Sequence, residues 1–99
     1  MPRLYRDMED RLLGNSVKEP GSECWFWIGH RVPAGYGTIS IYVSRLRRCV
    51  TFRAHRIAYE VFMGEIPDGM ELDHTCHCPP CINPNHMKPV TRAENARGN

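Results

Sequence analysis

The sequence predicts a small single-domain α+β fold, and three observations carry that reading. Its 99 residues and 11.4 kDa fit one core of useful size, with no room for a second. Two segments, near residues 3–13 and 54–63, repeat their apolar residues with the helical period. Between and after them lie short β-type runs punctuated by Gly, Pro, Asn and Asp.

Each element has its own signal. Residues 3–13 place Leu4, Met8 and Leu12 on one face with charges between them, Pro2 suits the start and Gly14-Asn15 the stop. Gly14 to Ser22 is polar, carries Pro20-Gly21 and reads as a linker loop, so residues 1–22 form a helix-and-linker arm ahead of a domain at 23–99. Cys24-Trp25-Phe26-Trp27-Ile28-Gly29 reads as an aromatic strand closed by a turn through Pro33 to Gly37. Thr38 to Val43 alternates as a second strand, and Val50 to Phe52 follows an Arg-rich turn as a third. Ala54 to Met63 sets Ile57, Ala58, Val61 and Phe62 on a helical stripe, with Gly64 as its stop. After the Pro67-Asp68-Gly69 turn, Glu71 to His74 starts a short strand, Cys76 to Pro84 loops out, and Met87 to Val90 returns as its partner. Thr91 and Glu94 have capping-box spacing, so a helix starts near Arg92. Trp25, Trp27, Tyr36 and Phe62 are expected in the core.

The composition is globular: 41% hydrophobic, 24% charged, mean hydropathy −0.48. No run approaches the roughly 18 apolar residues of a membrane span. No charged start followed by an apolar stretch marks an export signal, so the expected setting is intracellular. The net charge of +2 is modest, but its distribution is not. Ile41 to Ala58 holds no acidic residue, yet carries Arg45, Arg47, Arg48, Arg53 and Arg56. Arginine offers a planar fork to phosphate, so this stretch is a candidate nucleic-acid contact, the plainer reading being a solvated basic face.

Five cysteines do not pair off, and Cys76, Cys78 and Cys81 crowd together with His74, His77 and His86 around them. Without an export signal, such crowding reads as metal ligation before disulfides. Cys76, Cys81 and His86 supply three ligands of a tetrahedral zinc from one loop, and Cys24, Cys49 or His55 supplies another from upstream, with Cys24 favoured. Cys78 is a further rival, and His86 and His55 compete for the last place.

The closing unit reads strand, knuckle-like loop, strand, helix, with its polar residues at the joints. Asp73 at a strand end and Asn95 on the helix can bring a carboxylate and an amide oxygen to one hard divalent cation of the Mg²⁺ or Mn²⁺ type. His74 then stands free beside it to take a proton from water, which is the logic of a hydrolase.

At these residues the sequence resembles the HNH nucleases of the small phage or homing type. The matching segments are Cys24-Trp-Phe-Trp-Ile-Gly, Gly35-Tyr-Gly, His55-Arg-Ile-Ala-Tyr-Glu, Gly64-Glu-Ile-Pro-Asp-Gly, Leu72-Asp-His-Thr-Cys, Cys81-Ile-Asn-Pro-Asn-His-Met and Val90-Thr-Arg-Ala-Glu-Asn. Each fragment is weak alone; their order and spacing over Cys24 to Arg97 make the set specific. The resemblance implies a ββα-metal unit at about 70–99 that cuts DNA phosphodiesters, nicking or cleaving both strands, with Mg²⁺ or Mn²⁺ for catalysis and Zn²⁺ for structure. It implies Asp73 as metal-binding acid, His74 as general base and Asn95 as the helix ligand; Asn99 stands where some members carry a metal-binding histidine. His86 falls at the family's central Asn, which braces the loop bearing the base, and so joins the catalytic positions as brace, zinc ligand or both. Asn83 is a second candidate brace. The implied partner is DNA inside a bacterial host cell, in a phage setting; as 99 residues leave little space for a separate recognition domain, the chain is expected to be weakly specific or to borrow specificity from a homodimer or a phage protein. The alternative is a non-catalytic, zinc-stabilised DNA-binding module.

Overall fold

The computed structural model describes the backbone of residues 3–94 and the side chains of residues 8–94. Helix α1 spans Arg3–Gly14 and is followed by strand β1 (Ser16–Lys18), β2 (Trp25–Trp27), β3 (Thr38–Val43) and β4 (Arg48–Arg53). Helix α2 (Ala54–Met63) leads to β5 (Met70–His74) and β6 (Met87–Thr91), and residues 92–94 are helical again. Among the described residues the strands pair as three two-stranded antiparallel sheets, β1–β2, β3–β4 and β5–β6. This is the α+β architecture that the alternating signals imply.

The core forms where the two helices meet these ribbons. Met8 and Leu12 of α1, Ala54, Ala58 and Val61 of α2, Trp27, Ile39 and Ile82 are buried together. Trp25 and Phe62 pack against this cluster edge to face, with ring centroids 5.9 Å apart, a favoured geometry for aromatic pairs. Trp27 is the pivot. Its indole Nε1–H donates to the Thr38 carbonyl at 3.1 Å, so the buried ring leaves no orphaned donor. A Cβ at Gly37 would run into the indole ring, and only a glycine lets the chain pass that close.

Two stretches differ from the sequence reading. Ser16–Lys18, expected within the linker, forms β1 and pairs in register with β2, Val17 opposite Phe26. Three residues with Val17 largely exposed give too short a pattern to signal a strand; the neighbouring aromatic strand supplies the pairing. The third strand is twice its expected length, because β4 starts at Arg48 directly after a 3₁₀ turn at Ser44–Leu46. Arg47 ends that turn in the left-handed region, φ 54°. β4 is held by its six-pair ladder with β3 more than by burial, which periodicity cannot report. The capping box does form: the Thr91 backbone N–H donates to Glu94 Oε1 and the Glu94 N–H to Thr91 Oγ1, both at 3.1 Å.

Candidate functional site

The β5–β6 ribbon and its connecting loop build the candidate site. Consecutive residues of a strand face opposite sides, so Asp73 and His74 at the end of β5 diverge: His74 is buried and Asp73 half-buried. Across the ladder His74 stands opposite Met87 and Asp73 opposite Lys88. Asn95 lies outside the described residues.

His74 is held by one defined bond, from ring Nε2 to the carbonyl oxygen of Cys81, 2.9 Å. A carbonyl only accepts, so Nε2 carries the proton and a neutral ring keeps its lone pair on Nδ1. Burial pushes the His74 pKa below its ordinary 6.5, and the nearby His86 adds to that. The Cys81 carbonyl and the Asp73 carboxylate pull the other way and do not win. The imidazole is therefore neutral at pH 7, the state a general base needs.

Tyr36 and His55 pack against this ring. The His55 and His74 centroids are 4.7 Å apart, Tyr36 lies 5.3 Å from His55 and 5.7 Å from His74, and the Arg53 guanidinium sits 5.7 Å from the centre of the Tyr36 ring. Burial drives His55 down to about 3, helped by the charges of His74, Arg56 and Arg53, and its Nδ1 is buried with no hydrogen-bond partner among the described residues. His55, a rival for the zinc site on sequence grounds, thus packs beside His74 and is not in the cysteine group. Tyr36, expected in the core, is half-buried against the same two rings. The turn at Gly35, φ 98°, carries the phenol ring to the imidazoles, which no spacing in the sequence reports.

A second constellation lies on the same loop, next to the Cys81 carbonyl that holds His74. Sγ of Cys24, Cys76 and Cys81 and Nδ1 of His86 all fall within 4.8 Å of one another. Cys24 Sγ and Cys81 Sγ each stand 3.6 Å from His86 Nδ1. A tetrahedral zinc with Zn–S near 2.3 Å and Zn–N near 2.0–2.1 Å has S···N edges of about 3.6 Å, so these donors fit the ion. Three sulfurs and an imidazole are also the donor set that zinc prefers. Burial lifts the Cys81 thiol to about 12 and raises Cys76, so these sulfurs lie in surroundings that a cation would have to offset. Cys78, half-buried on the same loop, and Cys49, exposed on β4, are not in the group.

Backbone bonds fix this loop to β2. The Trp27 N–H donates to the Pro80 carbonyl at 2.9 Å and the Ile82 N–H to the Trp25 carbonyl at 2.8 Å, which brings Cys24 beside Cys81. Asn83 ties the same loop to the chain just ahead of β2: its Nδ2 donates to the Glu23 carbonyl at 2.8 Å, and its Oδ1 accepts from the Asn85 N–H at 3.0 Å. Besides placing its ring among the cysteines, His86 accepts at its carbonyl from the Thr75 N–H (2.8 Å) and hydroxyl (3.0 Å), one residue past His74. Arg45, Arg47, Arg48, Arg53 and Arg56 are all exposed, the first four on the β3–β4 ribbon and the last in the first turn of α2.

The described residues contain no helix long and apolar enough to cross a membrane. A family model described as HNH endonuclease matches residues 52–97, the stretch holding α2, both β strands of the site and the cysteine loop. The chain is 35% identical over 72 residues to an uncharacterised gene 5.3 protein of Enterobacteria phage T3, covering 72% of this chain and 71% of that protein. It is 30% identical over 90 residues to protein 2.8 of Escherichia phage T7, covering 91% of this chain but 58% of that protein, so it spans little more than half of that relative. No solved structure matches.

Proposed function

We propose, because this chain belongs to the HNH endonuclease family, that it is a metal-dependent endonuclease hydrolysing DNA phosphodiester bonds with His74 as general base. The observation that carries this reading is the 2.9 Å bond from His74 Nε2 to the Cys81 carbonyl. It fixes the ring plane and the tautomer, and leaves the lone pair on Nδ1 for the proton of an attacking water. The water oxygen attacks phosphorus, the P–O3′ bond breaks, and the products end in a 5′-phosphate and a 3′-hydroxyl. Asp73, half-buried at the strand end beside the base, supplies a carboxylate oxygen to a Mg²⁺- or Mn²⁺-type cation, and Asn95 is its proposed companion ligand. That cation, when bound, contributes Lewis-acid stabilisation of charge on the phosphate and the leaving oxygen.

Cys24, Cys76, Cys81 and His86 are the proposed ligands of a structural Zn²⁺. Cys81 then serves twice, through Sγ at the zinc and through its carbonyl at the base, so an intact zinc site keeps His74 in place. Arg45, Arg47, Arg48, Arg53 and Arg56 contact backbone phosphates, a largely sequence-independent and salt-sensitive source of affinity. The phage relatives support a setting in the cytoplasm of a bacterial host.

Conversion of supercoiled plasmid in Mg²⁺ or Mn²⁺ tests the reading. Open-circular or linear product carrying 5′-phosphate ends is expected. DNA retained in a complex with no conversion under either metal would overturn it in favour of a zinc-stabilised binding module.

A further inference from the structure

The β3–β4 ribbon is the least buried paired element of the fold, and its two faces differ. Ladder pairs alternate sides, so Ile39 with Phe52 and Ile41 with Val50 share one face, whose Ile39 enters the core and whose Ile41 packs against it. The opposite face carries Thr38 with Arg53, Ser40 with Thr51 and Tyr42 with Cys49. Apart from Thr38 these residues are exposed, Tyr42 by 62%, and Ser40 and Thr51 exchange a hydroxyl hydrogen bond of 3.2 Å. Beyond the Val43–Arg48 pair the exposed tip adds Arg45 and Arg47. No carboxylate occurs anywhere from Ile41 to Ala58.

This polar face starts at the site and leads away from it. Arg53 lies over Tyr36, and Tyr36 packs on His74. At its base the face also borders an open cleft of about 550 Å³ lined in part by Arg11, Asn15, His30, Ser40 and Thr51, with no acidic residue among the described ones that line it. Strands of this length extend about 17–20 Å. The B-DNA major groove is about 12 Å wide and 8.5 Å deep, and a two-stranded β ribbon is one of the elements it admits. A duplex whose scissile phosphate lies at His74 therefore meets a hydroxyl-rich, arginine-tipped ribbon beside the cut.

We propose that the β3–β4 ribbon docks in the major groove of the duplex flanking the cleavage site, with Tyr42, Ser40 and Thr51 turned to the groove and Arg45 and Arg47 at its phosphate walls. The proposal rests on the endonuclease reading, and the two fail separately because the test below measures binding without cutting.

Two duplexes of one sequence serve as probes, compared in Ca²⁺ by fluorescence anisotropy with zinc-loaded protein. One carries glucosylated 5-hydroxymethylcytosine, whose sugars fill the major groove and leave the minor groove free. The wild type is expected to bind the plain duplex at least ~10-fold more tightly, the scale of losing one or two base-edge contacts. The triple substitution Ser40→Ala, Tyr42→Ala, Thr51→Ala removes the groove-facing side chains, leaves the backbone ladder in place, and is expected to lose most of that discrimination. The double substitution Arg45→Gln, Arg47→Gln, which leaves the backbone alone, is expected to lower the salt dependence of binding by about two counterions. Equal wild-type affinity for both duplexes would overturn the proposal, as would full discrimination retained by the triple variant or no binding to either duplex. Discrimination by a wild type that cuts no plasmid would uphold the ribbon and reject the nuclease reading.

Discussion

The backbone carbonyl of Cys81 holds His74 Nε2 at 2.9 Å while the Cys81 sulfur stands 3.6 Å from the His86 ring, so one residue joins the candidate metal centre to the candidate base. Its backbone N–H is also used, donating to the Cys78 carbonyl at 3.0 Å, which tightens the loop between them. Geometry at His74 and any metal held by the cysteine group are thereby expected to be coupled through a few covalent bonds, with measurable consequences.

The zinc centre is expected to be part of folding. A structural zinc contributes on the order of 10–16 kcal/mol of binding free energy at neutral pH, far more than the net stability of a domain this small. Metal analysis is expected to give one tightly bound zinc per chain. Cys24→Ser and Cys81→Ser are expected to lose the metal together with the cooperative thermal transition. Cys49→Ser, on the exposed face of β4, is expected to keep both.

Cleavage is expected to depend on pH through the lone pair of His74. Burial sets its pKa below the ordinary 6.5, so the ring stays neutral down to that pH and protonates only beneath it. Single-turnover rates are expected to be flat above about pH 6.5 and to fall on the acid side, with the midpoint below the free imidazole value. A midpoint above 6.5 would mean that Asp73 and the Cys81 carbonyl outweigh burial.

His55 ties stability to pH in a definite direction. Its folded pKa of about 3 lies below the unfolded value of 6.5, so from 6.5 downward the unfolded chain takes a proton that the native ring refuses. The contribution is intact above pH 6.5 and lost progressively toward pH 3, on the order of 3 kcal/mol by pH 4. His55→Phe, which preserves a ring against Tyr36 and His74, is expected to flatten that part of the urea-denaturation profile relative to wild type.

Tyr36 offers a test of positioning. Tyr36→Phe keeps the ring that packs on His55 and His74 and is expected to cut DNA at nearly the wild-type rate. Tyr36→Ala removes the aromatic contacts, costing about 1 kcal/mol of stability, and is expected to lower the cleavage rate without changing DNA affinity. Rate and affinity measured on the same duplex separate the two effects.

Much of this organisation is legible in the sequence because it is local. Both helices repeat their apolar residues over several turns, and the Thr91–Glu94 capping box forms as its spacing implies. The cysteine loop announces three donors, and Cys24 joins them in space although 52 residues separate it from Cys76. The rest depends on partners distant in the chain. Ser16–Lys18 becomes a strand only because Trp25–Trp27 lies beside it, and six-residue β4 survives through its ladder with β3. His55 and Tyr36 reach His74 through the packing of α2 and the Gly35 turn, and no spacing rule relates those three positions.

The most direct measurement compares wild type with His74→Ala on supercoiled plasmid in Mg²⁺ or Mn²⁺, with both proteins shown by metal analysis and circular dichroism to be zinc-loaded and folded. The wild type is expected to produce open-circular or linear DNA, and the variant to be slower by at least ~10²-fold, the contribution typical of a positioned general base. Equal rates in the two proteins would contradict the assignment of His74 as the base.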